Sequence, residues 1–275
     1  MQTSEKLLDA AIGAAIEAGE AIMQVYTSPE TDWGVERKAD NSPLTLADKK
    51  AHAAIEARLA SLNIPLLSEE GAHEAYETRR CWVQLWVVDP LDGTKEFLKR
   101  NGEFTVNIAL VSEGVPVMGV IFVPVSRTLY WGVCRVDGSR EACKVAEVPA
   151  GLYSYAEVAG LAHSLPLSAT ERPYTVVASR SHLSPETQEF IDGLRIEHQD
   201  LELRSAGSSL KICLVAEGAA DVYPRFAPTM EWDTAAGHAI VRAAGGEVWQ
   251  AAADAPLCYN KTDLLNPWFI VRDRK

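Results

Sequence analysis

The sequence predicts a mixed α/β protein of two domains, with an α+β domain in residues 1–145 and an α/β domain in residues 146–275. The chain has 275 residues, a length that fits about two domains of ~100–200 residues each. The first half places two helical patterns before a run of strand patterns, whereas the second half alternates strands with helices. A hydrophobic fraction of 47% with 23% charged residues is typical of a folded protein.

Two amphipathic helices are predicted at the start of the first domain. Apolar residues recur every three or four positions over residues 4–25, which is the period of a helix with one buried face. A second helix is predicted from Thr45 to about Leu62, and Asp48 lies at the head of its apolar stripe. Asp48 can also be interpreted as the capping-box partner of Thr45, so its role stays open between a cap and a buried functional carboxylate.

Short apolar runs separated by turn residues predict the strands of the first domain. These strands are 64–67, 85–88, 104–111, 115–123 and 128–136. The last three form a meander, and a further turn follows at Asp137-Gly138. The pattern weakens over residues 146–172, which we interpret as the domain junction.

The second domain is predicted from alternation of strand and helix patterns. The strands are 174–178, 201–204, 220–223, 247–249 and 268–271, and the helices are 185–194, 208–216 and 231–244. Such alternation is typical of an α/β domain.

Charge and composition exclude several classes of protein. The formal net charge is −12, which argues against a nucleic-acid polymer as partner because like charges repel. Five cysteines without C-x-x-C spacing favour reduced thiols. Acidic residues interrupt the N-terminal helix, unlike a signal peptide, and the longest apolar run is shorter than the ~20 residues that span a bilayer. We therefore predict a cytoplasmic protein without an integral membrane segment, and its oligomeric state stays open.

Two aspartates directly follow the strand at 85–88. Asp89, Asp92 and the carbonyl of Leu91 can supply three oxygens to a hard cation such as Mg²⁺. The amides of Gly93 and Thr94, at a predicted helix start, suit a phosphate oxygen. An ordinary surface turn is the alternative, since Asp, Pro and Gly are common turn residues.

Other acidic residues lie at comparable positions. Glu69 and Glu70 follow the strand at 64–67, although a solvated acidic loop is the favoured interpretation of this pair taken alone. Asp233 shares a small, apolar helix face with Gly237 and is predicted to point inward. A charge at a helix N-terminus is worth only ~0.3–1 kcal/mol, whereas a buried carboxylate needs a partner, so a metal ligand is the favoured interpretation of Asp233.

Four ordered motifs together resemble the lithium-sensitive, magnesium-dependent inositol monophosphatase superfamily, in particular its 3'(2'),5'-bisphosphate nucleotidase (CysQ-type) branch. The motifs lie at Asp40–Asp48, Leu67–Glu70, Asp89–Phe97 and Trp232–Gly237, and the resemblance runs nearly end to end. It implies an α-β-α-β-α sandwich that holds two or three Mg²⁺ ions between its domains. It also implies inhibition by Li⁺ and a place in sulfur assimilation.

The resemblance also implies roles for individual residues. The residues implied to bind Mg²⁺ are Glu69, Asp89, Leu91 through its carbonyl, Asp92 and Asp233. Asp48 and Thr94 are implied to activate the attacking water. The residues implied to contact the substrate are Glu69, Leu91, Asp92, Gly93, Thr94, His182, Ser208, Lys211, Arg225 and Asp233. Helix-start amides near Ser208, with Lys211 and Arg225, form a predicted second anion site.

The predicted function is removal of the 3'-phosphate of adenosine 3',5'-bisphosphate, which gives AMP and phosphate. Two metal ions ~3.5–4 Å apart can serve such a reaction without a protein nucleophile. An inositol or sugar phosphatase is one alternative, and a catalytically silent metal- or nucleotide-binding regulator is another. The D-x-D-G-T motif of aspartyl phosphatases is not met, because two residues separate Asp89 from Asp92. Family analogy also allows peripheral association with the inner membrane, but no basic amphipathic segment supports it.

Overall fold

The computed structural model describes residues 4–29, 31, 33–37, 43–167, 171–178 and 184–273. Its helices are α1 (Ser4–Tyr26), α2 (Leu46–Leu59), α3 (Tyr76–Arg79), α4 (Thr94–Leu98), α5 (Tyr155–Ala159), α6 (Pro185–Glu197), α7 (Leu210–Ala216) and α8 (Glu231–Ala244). Its strands are β1 (Glu36–Arg37), β2 (Pro43–Leu44), β3 (Leu66–Ser68), β4 (Gln84–Asp92), β5 (Thr105–Ser112), β6 (Val115–Val123), β7 (Thr128–Cys134), β8 (Arg140–Val145), β9 (His163–Ser164), β10 (Thr175–Ala178), β11 (Glu202–Ser205), β12 (Val222–Arg225), β13 (Gly246–Gln250) and β14 (Phe269–Asp273). Within these ranges, no helix combines the length and the apolar character needed to cross a membrane.

Two large sheets organise the described part of the chain. The first has seven strands in the order β3-β4-β5-β6-β7-β8-β9, and only the β3–β4 pair in it is parallel. The second has five strands in the order β11-β10-β12-β14-β13. In that sheet, β10 is parallel to both β11 and β12, whereas β14 is antiparallel to its neighbours. A small antiparallel pair, β1–β2, stands apart from both sheets.

The helices separate the sheets into layers. Helices α1 and α2 pack on one face of the seven-stranded sheet, and α8 packs on its other face. Helix α7 lies between α8 and the five-stranded sheet, while α6 covers the far side of that second sheet. The order is therefore helix, sheet, helix, sheet, helix, and the predicted α-β-α-β-α sandwich is confirmed.

Strand β4 shows how one strand serves two cores. Trp86 and Val88 point into the core shared with α1 and α2. Leu85 and Val87 point into the core shared with α7 and α8. Because both faces of the strand are covered, apolar residues occupy successive positions instead of alternating with polar ones. This burial explains why the strand reads as an unbroken apolar run directly before the acidic residues.

A pair of glycines brings α8 unusually close to the first sheet. Gly119 in β6 and Gly132 in β7 are cross-strand neighbours. A Cβ atom added at Gly119 would overlap the backbone carbonyl of Ala236, and one at Gly132 would lie 2.5 Å from the Cα of Ile240. The helix backbone thus rests on the sheet backbone, which fixes the position of Asp233 in the first turn of α8.

The structure refines two predicted boundaries near the acidic residues. Thr45 is the N-cap of α2 in extended conformation, and the helix itself begins at Leu46. Strand β4 continues beyond the predicted end at Val88 as far as Asp92, with an irregular register between Asp89 and Asp92. The irregularity leaves Pro90 and Leu91 outside the register, while Asp89 and Asp92 stay opposite Asn107 and Thr105.

Several short elements have no counterpart in the sequence prediction. Strand β8 completes the hairpin after Asp137-Gly138, and β9 adds a two-residue strand at His163–Ser164. Helices α3 and α5 span only four and five residues, too few to show a helical period. The first strand of the second sheet begins at Thr175, and the division of domains at residue 145 stays a prediction.

Replacing Gly119 with alanine should destabilise the fold, because the new methyl group meets the backbone of α8 rather than a movable side chain. We expect Gly119→Ala to lower the free energy of unfolding by about 3 kcal/mol, measured by urea denaturation. Gly160→Ala is the matched control, since an added Cβ there meets nothing within 4 Å. Equal unfolding midpoints for the wild type and Gly119→Ala would contradict the close approach of α8.

Candidate active site

Three aspartates meet where β4 ends and α8 begins. Asp89, Asp92 and Asp233 each offer a carboxylate oxygen, and the three oxygens lie within 4.8 Å of one another. Asp89 is buried, whereas Asp92 and Asp233 are half-buried. The first two come from one strand of the first sheet, and the third comes from a helix packed on that sheet. The layered fold therefore assembles the group from residues more than 140 positions apart.

The pKa values of these carboxyl groups reflect their crowding. Burial raises the pKa of Asp89 well above its usual range, and the charges of Glu69, Asp92 and Asp233 raise it further. Burial, followed by the charge of Asp92, raises the pKa of Asp233 to about 8. A divalent cation among these oxygens would offset both effects, and carboxylate oxygens are the ligands that hard cations prefer. The donor set therefore fits such an ion.

Backbone amides hold one oxygen of two of these aspartates. The Leu91 N–H donates to Oδ1 of Asp89 over 3.0 Å, and the Met230 N–H donates to Oδ2 of Asp233 over 2.8 Å. Asp233 thus occupies a position near the start of α8 that suits a negative charge. It also lies in the three-aspartate group, so the two interpretations of this residue are compatible.

Asp92 is held by side chains from two other segments. Its Oδ2 accepts hydrogen bonds from Ser209 Oγ at 2.7 Å and from Asn107 Nδ2 at 3.2 Å, and Thr105 Oγ1 lies 3.5 Å away. Ser209 Oγ is also 2.9 Å from the carbonyl oxygen of Asp233. Neither Asn107 nor Ser209 was among the predicted site residues. An amide side chain inside an otherwise apolar strand was the available signal for Asn107.

Asp48 combines the two roles that the sequence left open. Its Oδ2 accepts hydrogen bonds from the Thr45 backbone at 2.7 Å and from the Thr45 hydroxyl at 2.6 Å, which completes a capping box. Its Oδ1 is 3.4 Å from the hydroxyl of Thr94, and that hydroxyl is 3.5 Å from the Leu91 carbonyl. Both distances exceed an ordinary hydroxyl hydrogen bond, so the Thr94 hydroxyl is weakly held and can turn to another partner.

The pKa of Asp48 is raised to about 6. Burial is the main cause, and the charges of Glu70 and Glu69 add to it, while the hydrogen bonds from Thr45 act in the opposite direction. A carboxylate with a pKa close to neutrality is suited to exchange a proton with a bound water.

Glu69 lies beside the three-aspartate group. Its backbone N–H donates to the Val88 carbonyl over 3.1 Å, and this bond holds the loop after β3 against β4. A hydrogen bond joins the carboxyl groups of Glu69 and Asp89 and contributes to the raised pKa of Asp89. Glu69 is therefore adjacent to the predicted ligands, although it is not part of the group within 4.8 Å.

A cavity of about 570 Å³ opens beside the aspartates. Asp92, Gly93 and Asp233 line one part, and Ser208, Lys211 and Arg225 line another. The side chain of Lys211 is buried, and its Nζ donates to the carbonyls of Ser208 at 2.6 Å and Ala206 at 3.3 Å. Burial lowers the pKa of Lys211 to about 8, although nearby acids, Asp92 first, oppose the shift.

Two buried polar atoms of residues that line this cavity lack partners among the described residues. These are the hydroxyl of Ser208 and Nε of Arg225. The only hydrogen bond recorded for the Arg225 guanidinium within those ranges joins Nη2 to the Pro228 carbonyl at 3.2 Å. Unsatisfied buried donors are costly, so an acceptor such as an anionic ligand fits this part of the cavity.

One predicted residue cannot be placed, and several cavity residues, two lysines among them, were not predicted. His182 lies outside the described residues, as does the Asp40–Ser42 part of the first motif. Lys95 in α4 and Lys99, the C-cap of that helix, line the cavity. A lysine pair four residues apart directly after Gly93-Thr94 was the available signal, but exposed lysines are too common for that spacing to be informative.

Comparisons with known proteins agree with this geometry. The model of the inositol monophosphatase family matches residues 3–269. The 3'(2'),5'-bisphosphate nucleotidase CysQ of Escherichia coli K12 is 46% identical over 270 residues, covering 96% of this chain and 99% of the relative. The protein of the same name from Haemophilus influenzae is 31% identical, covering 98% of this chain and 93% of the relative.

The fold of this chain is also similar to that of solved structures. The crystal structure of CysQ from Bacteroides thetaiotaomicron, a bacterial member of the inositol monophosphatase family, superposes with a TM-score of 0.88 at 55% identity. The match covers 99% of this chain and 98% of that one. The extragenic suppressor protein suhB from Bartonella henselae superposes with a TM-score of 0.66 at 26% identity, covering 96% of this chain and 92% of that one.

Removing the charge of Asp233 should stabilise the metal-free protein as pH rises. The folded pKa of about 8 lies above the ordinary value of 3.8, so the stability that protonated Asp233 contributes is complete below about pH 4. It is lost as pH rises through about 8. Asparagine does not ionise and can still accept the Met230 hydrogen bond. In EDTA, the melting temperature of Asp233→Asn should exceed that of the wild type by a margin that widens from about pH 5 to about pH 8.

Asp137→Asn is the control for this experiment. Asp137 is exposed, and hydrogen bonds from Ser139 lower its pKa, so its removal should bring no gain at the higher pH. A melting temperature for Asp233→Asn below that of the wild type at about pH 8 would show that Asp233 is not repelled by its neighbours.

Proposed function

We propose that this chain, which belongs to the inositol monophosphatase family, is a 3'(2'),5'-bisphosphate nucleotidase. It removes the 3'-phosphate of adenosine 3',5'-bisphosphate and releases AMP and phosphate. Curated relatives at 46% identity over 96% of the chain carry this activity in their names. The chain is therefore a phosphatase, and the family to which it belongs is metal-dependent.

One observation carries the choice of substrate class. The cavity has carboxylates of Asp92 and Asp233 in one part and the cationic side chains of Lys211 and Arg225 in another. A phosphate bound near the aspartates requires a cation between them, whereas an anion bound near Lys211 and Arg225 does not. A substrate with two phosphates uses both parts of the cavity, and a simple monophosphate uses one.

Mg²⁺ is the proposed metal, with Asp89, Asp92, Asp233, Glu69 and the carbonyl of Leu91 as its ligands. Bound Mg²⁺ would supply positive charge that neutralises phosphate oxygens and makes a water nucleophilic near neutral pH. Oxygen-only donors and high negative charge favour such a hard ion over softer metals. Two or three ions and inhibition by Li⁺ are part of the same proposal.

Asp48 and Thr94 are the proposed residues for the attacking water. The 3.4 Å between Asp48 Oδ1 and Thr94 Oγ1 places an acceptor beside a weakly held hydroxyl. Thr94 can donate to Asp48 and accept from a water at the same oxygen, and Asp48 can then take the proton that the water loses. Since Oδ2 of Asp48 is fixed by Thr45, the proton transfer is assigned to Oδ1.

The second phosphate is assigned to Ser208, Lys211 and Arg225, with His182 as a further proposed contact. Charge-assisted hydrogen bonds to a phosphate are short and strong, and the unpartnered Ser208 hydroxyl and Arg225 Nε are available for them. In this division of roles, residues 1–145 supply most of the metal ligands, and residues 146–275 supply the nucleotide contacts and Asp233.

A substrate panel tests the proposal directly. Phosphate release is measured from adenosine 3',5'-bisphosphate, AMP and inositol 1-phosphate, each with Mg²⁺, with Mg²⁺ plus Li⁺, and with EDTA. We expect Mg²⁺-dependent release from the bisphosphate to be fastest and to yield AMP. Asp92→Asn is the inactive control, because it removes a proposed metal ligand.

Each other outcome of the panel identifies an alternative. Faster release from inositol phosphate would make the chain an inositol phosphatase instead. Absence of release from every substrate, with nucleotide binding intact, would indicate a regulator. Equal release in Mg²⁺ and in EDTA would refute metal dependence.

Replacing Arg225 should slow hydrolysis of the bisphosphate more than hydrolysis of a simple monophosphate. A charge-assisted hydrogen bond contributes roughly 1.5–3 kcal/mol, so Arg225→Ala should lower kcat/KM for the bisphosphate by about 10- to 100-fold. The rate on a simple aryl monophosphate should change by less than about threefold. Arg195→Ala, which removes an exposed arginine paired with Asp192, is the control. Equal losses on both substrates would refute the second anion site.

A further inference from the structure

We propose that Ser209, acting with Asn107, is a positioning residue that orients the carboxylate of Asp92. It links this carboxylate to the segment around Ser208, which precedes α7 and lines the cavity. The inference rests on the proposed function, because it assigns Asp92 to the metal. It concerns two residues that touch neither the phosphate nor the metal in the proposed arrangement. Both are buried, and both converge on one oxygen of Asp92.

The two oxygens of Asp92 have different surroundings. Oδ2 receives the hydrogen bonds from Ser209 at 2.7 Å and from Asn107 at 3.2 Å. No hydrogen bond to Oδ1 is found among the described residues. A carboxylate held through one oxygen presents the other in a fixed direction, and outer partners of this kind orient metal ligands. Oδ1 is therefore the oxygen that faces a cation.

The donors of this cluster all have acceptors, whereas Oδ1 of Asn107 has no partner among the described residues. Asn107 Nδ2 has two protons, which go to Asp92 Oδ2 and, over 2.9 Å, to Ser209 Oγ. Ser209 thus accepts one hydrogen bond and has one proton to donate. That proton reaches either Asp92 Oδ2 or the Asp233 carbonyl at 2.9 Å, and the charged acceptor is the closer one. A single hydroxyl therefore bridges strand β5, the end of β4 and the start of α8.

The position of Ser209 in the chain links this cluster to the nucleotide site. Ser208 precedes it, and Lys211 follows in α7, so three neighbouring residues serve the cavity and the cluster. The loop is fixed to the first half of the chain at a second point, because the Gly207 N–H donates to Glu103 Oε2 over 2.8 Å. Movement of the Ser208 segment therefore acts directly on the orientation of Asp92.

Loss of the Ser209 hydroxyl removes the closest donor to Asp92 Oδ2 and the acceptor of one Asn107 proton. Oδ2 of Asp92 is then held only by the longer contacts from Asn107 at 3.2 Å and Thr105 at 3.5 Å, so the direction of Oδ1 is less firmly fixed. Removing an outer partner of a metal ligand typically lowers metal affinity by 10- to 100-fold. We expect Ser209→Ala to raise the dissociation constant for a divalent ion by about tenfold.

The test measures metal binding without turnover. Metal-free wild type, Ser209→Ala and Asn107→Ala are titrated with Mn²⁺, and free Mn²⁺ is followed by electron paramagnetic resonance. Both variants should bind Mn²⁺ about tenfold more weakly, and the double variant should lose less than the product of the two losses, because both side chains act on one oxygen. Thr175→Val is the control: it removes a buried hydroxyl bonded to the Pro173 carbonyl in the second sheet, far from Asp92 in sequence.

Kinetics provide the second readout. At saturating Mg²⁺, the KM of Ser209→Ala for the bisphosphate should stay within about twofold of the wild type, while the Mg²⁺ concentration needed for half-maximal rate rises. Mn²⁺ affinities of both single variants within about twofold of the wild type would overturn the inference. A raised KM with unchanged Mn²⁺ affinity would also overturn it, and would make Ser209 a nucleotide contact.

These outcomes are independent of the proposed activity. If the wild type binds Mn²⁺ but hydrolyses no bisphosphate, the proposed function fails while the Mn²⁺ comparison still decides the role of Ser209. If the wild type hydrolyses the bisphosphate and the variants keep their Mn²⁺ affinity, only the positioning role fails. Should Ser209→Ala fold poorly, Asn107→Ala carries the same comparison.

Discussion

Electrostatic repulsion among Asp89, Asp92 and Asp233 is the constraint on which the rest of the structure depends. Three carboxylates within 4.8 Å would separate if each were free to move. The fold prevents this by fixing one oxygen of each: an amide holds Asp89, another holds Asp233, and side chains hold Asp92. In the proposed arrangement the remaining oxygens face a cation, which would cancel the repulsion. Asp48 follows the same pattern, with its cap on one oxygen and Thr94 near the other.

Helix α8 is the element that makes this crowding possible. It carries Asp233 into a position that neither sheet could reach, and it can do so because Gly119 and Gly132 let its backbone rest on the first sheet. On its other side, Gly237 admits the side chain of Ile212 from α7. Small residues on both sides of one helix therefore decide where a functional carboxylate lies, although none of them takes part in chemistry.

The sequence predicted the residues whose chemistry is unusual for their surroundings. Asp89 and Asp92 follow an apolar strand directly, and Asp233 heads a small, apolar helix face, so each stood out locally. Ser209 did not stand out, because hydrogen bonds between distant segments leave no periodic signal. Asn107 is an amide within an apolar strand, but its partners in other segments could not be read from that pattern. Strand β9 and helix α5 were missed for a related reason: they are too short to show a period and form through contacts with their neighbours. The α+β and α/β halves were predictable from long strand and helix patterns, whereas the layered sandwich was predicted from the family resemblance.

Helix α8 contributes both to the core between the sheets and to the acidic group, and its late position in the chain has a consequence for biosynthesis. Its residues belong to the core between the two sheets, and its first turn completes the acidic group. A nascent chain that has not yet reached residue 231 already contains Asp89 and Asp92 but cannot assemble a full set of ligands. In the proposed arrangement, capture of the ion would therefore follow synthesis of α8, the helix that packs between the two sheets. A fragment that ends before α8 would contain Asp89 and Asp92 without Asp233, and would offer the ion an incomplete set of the proposed ligands.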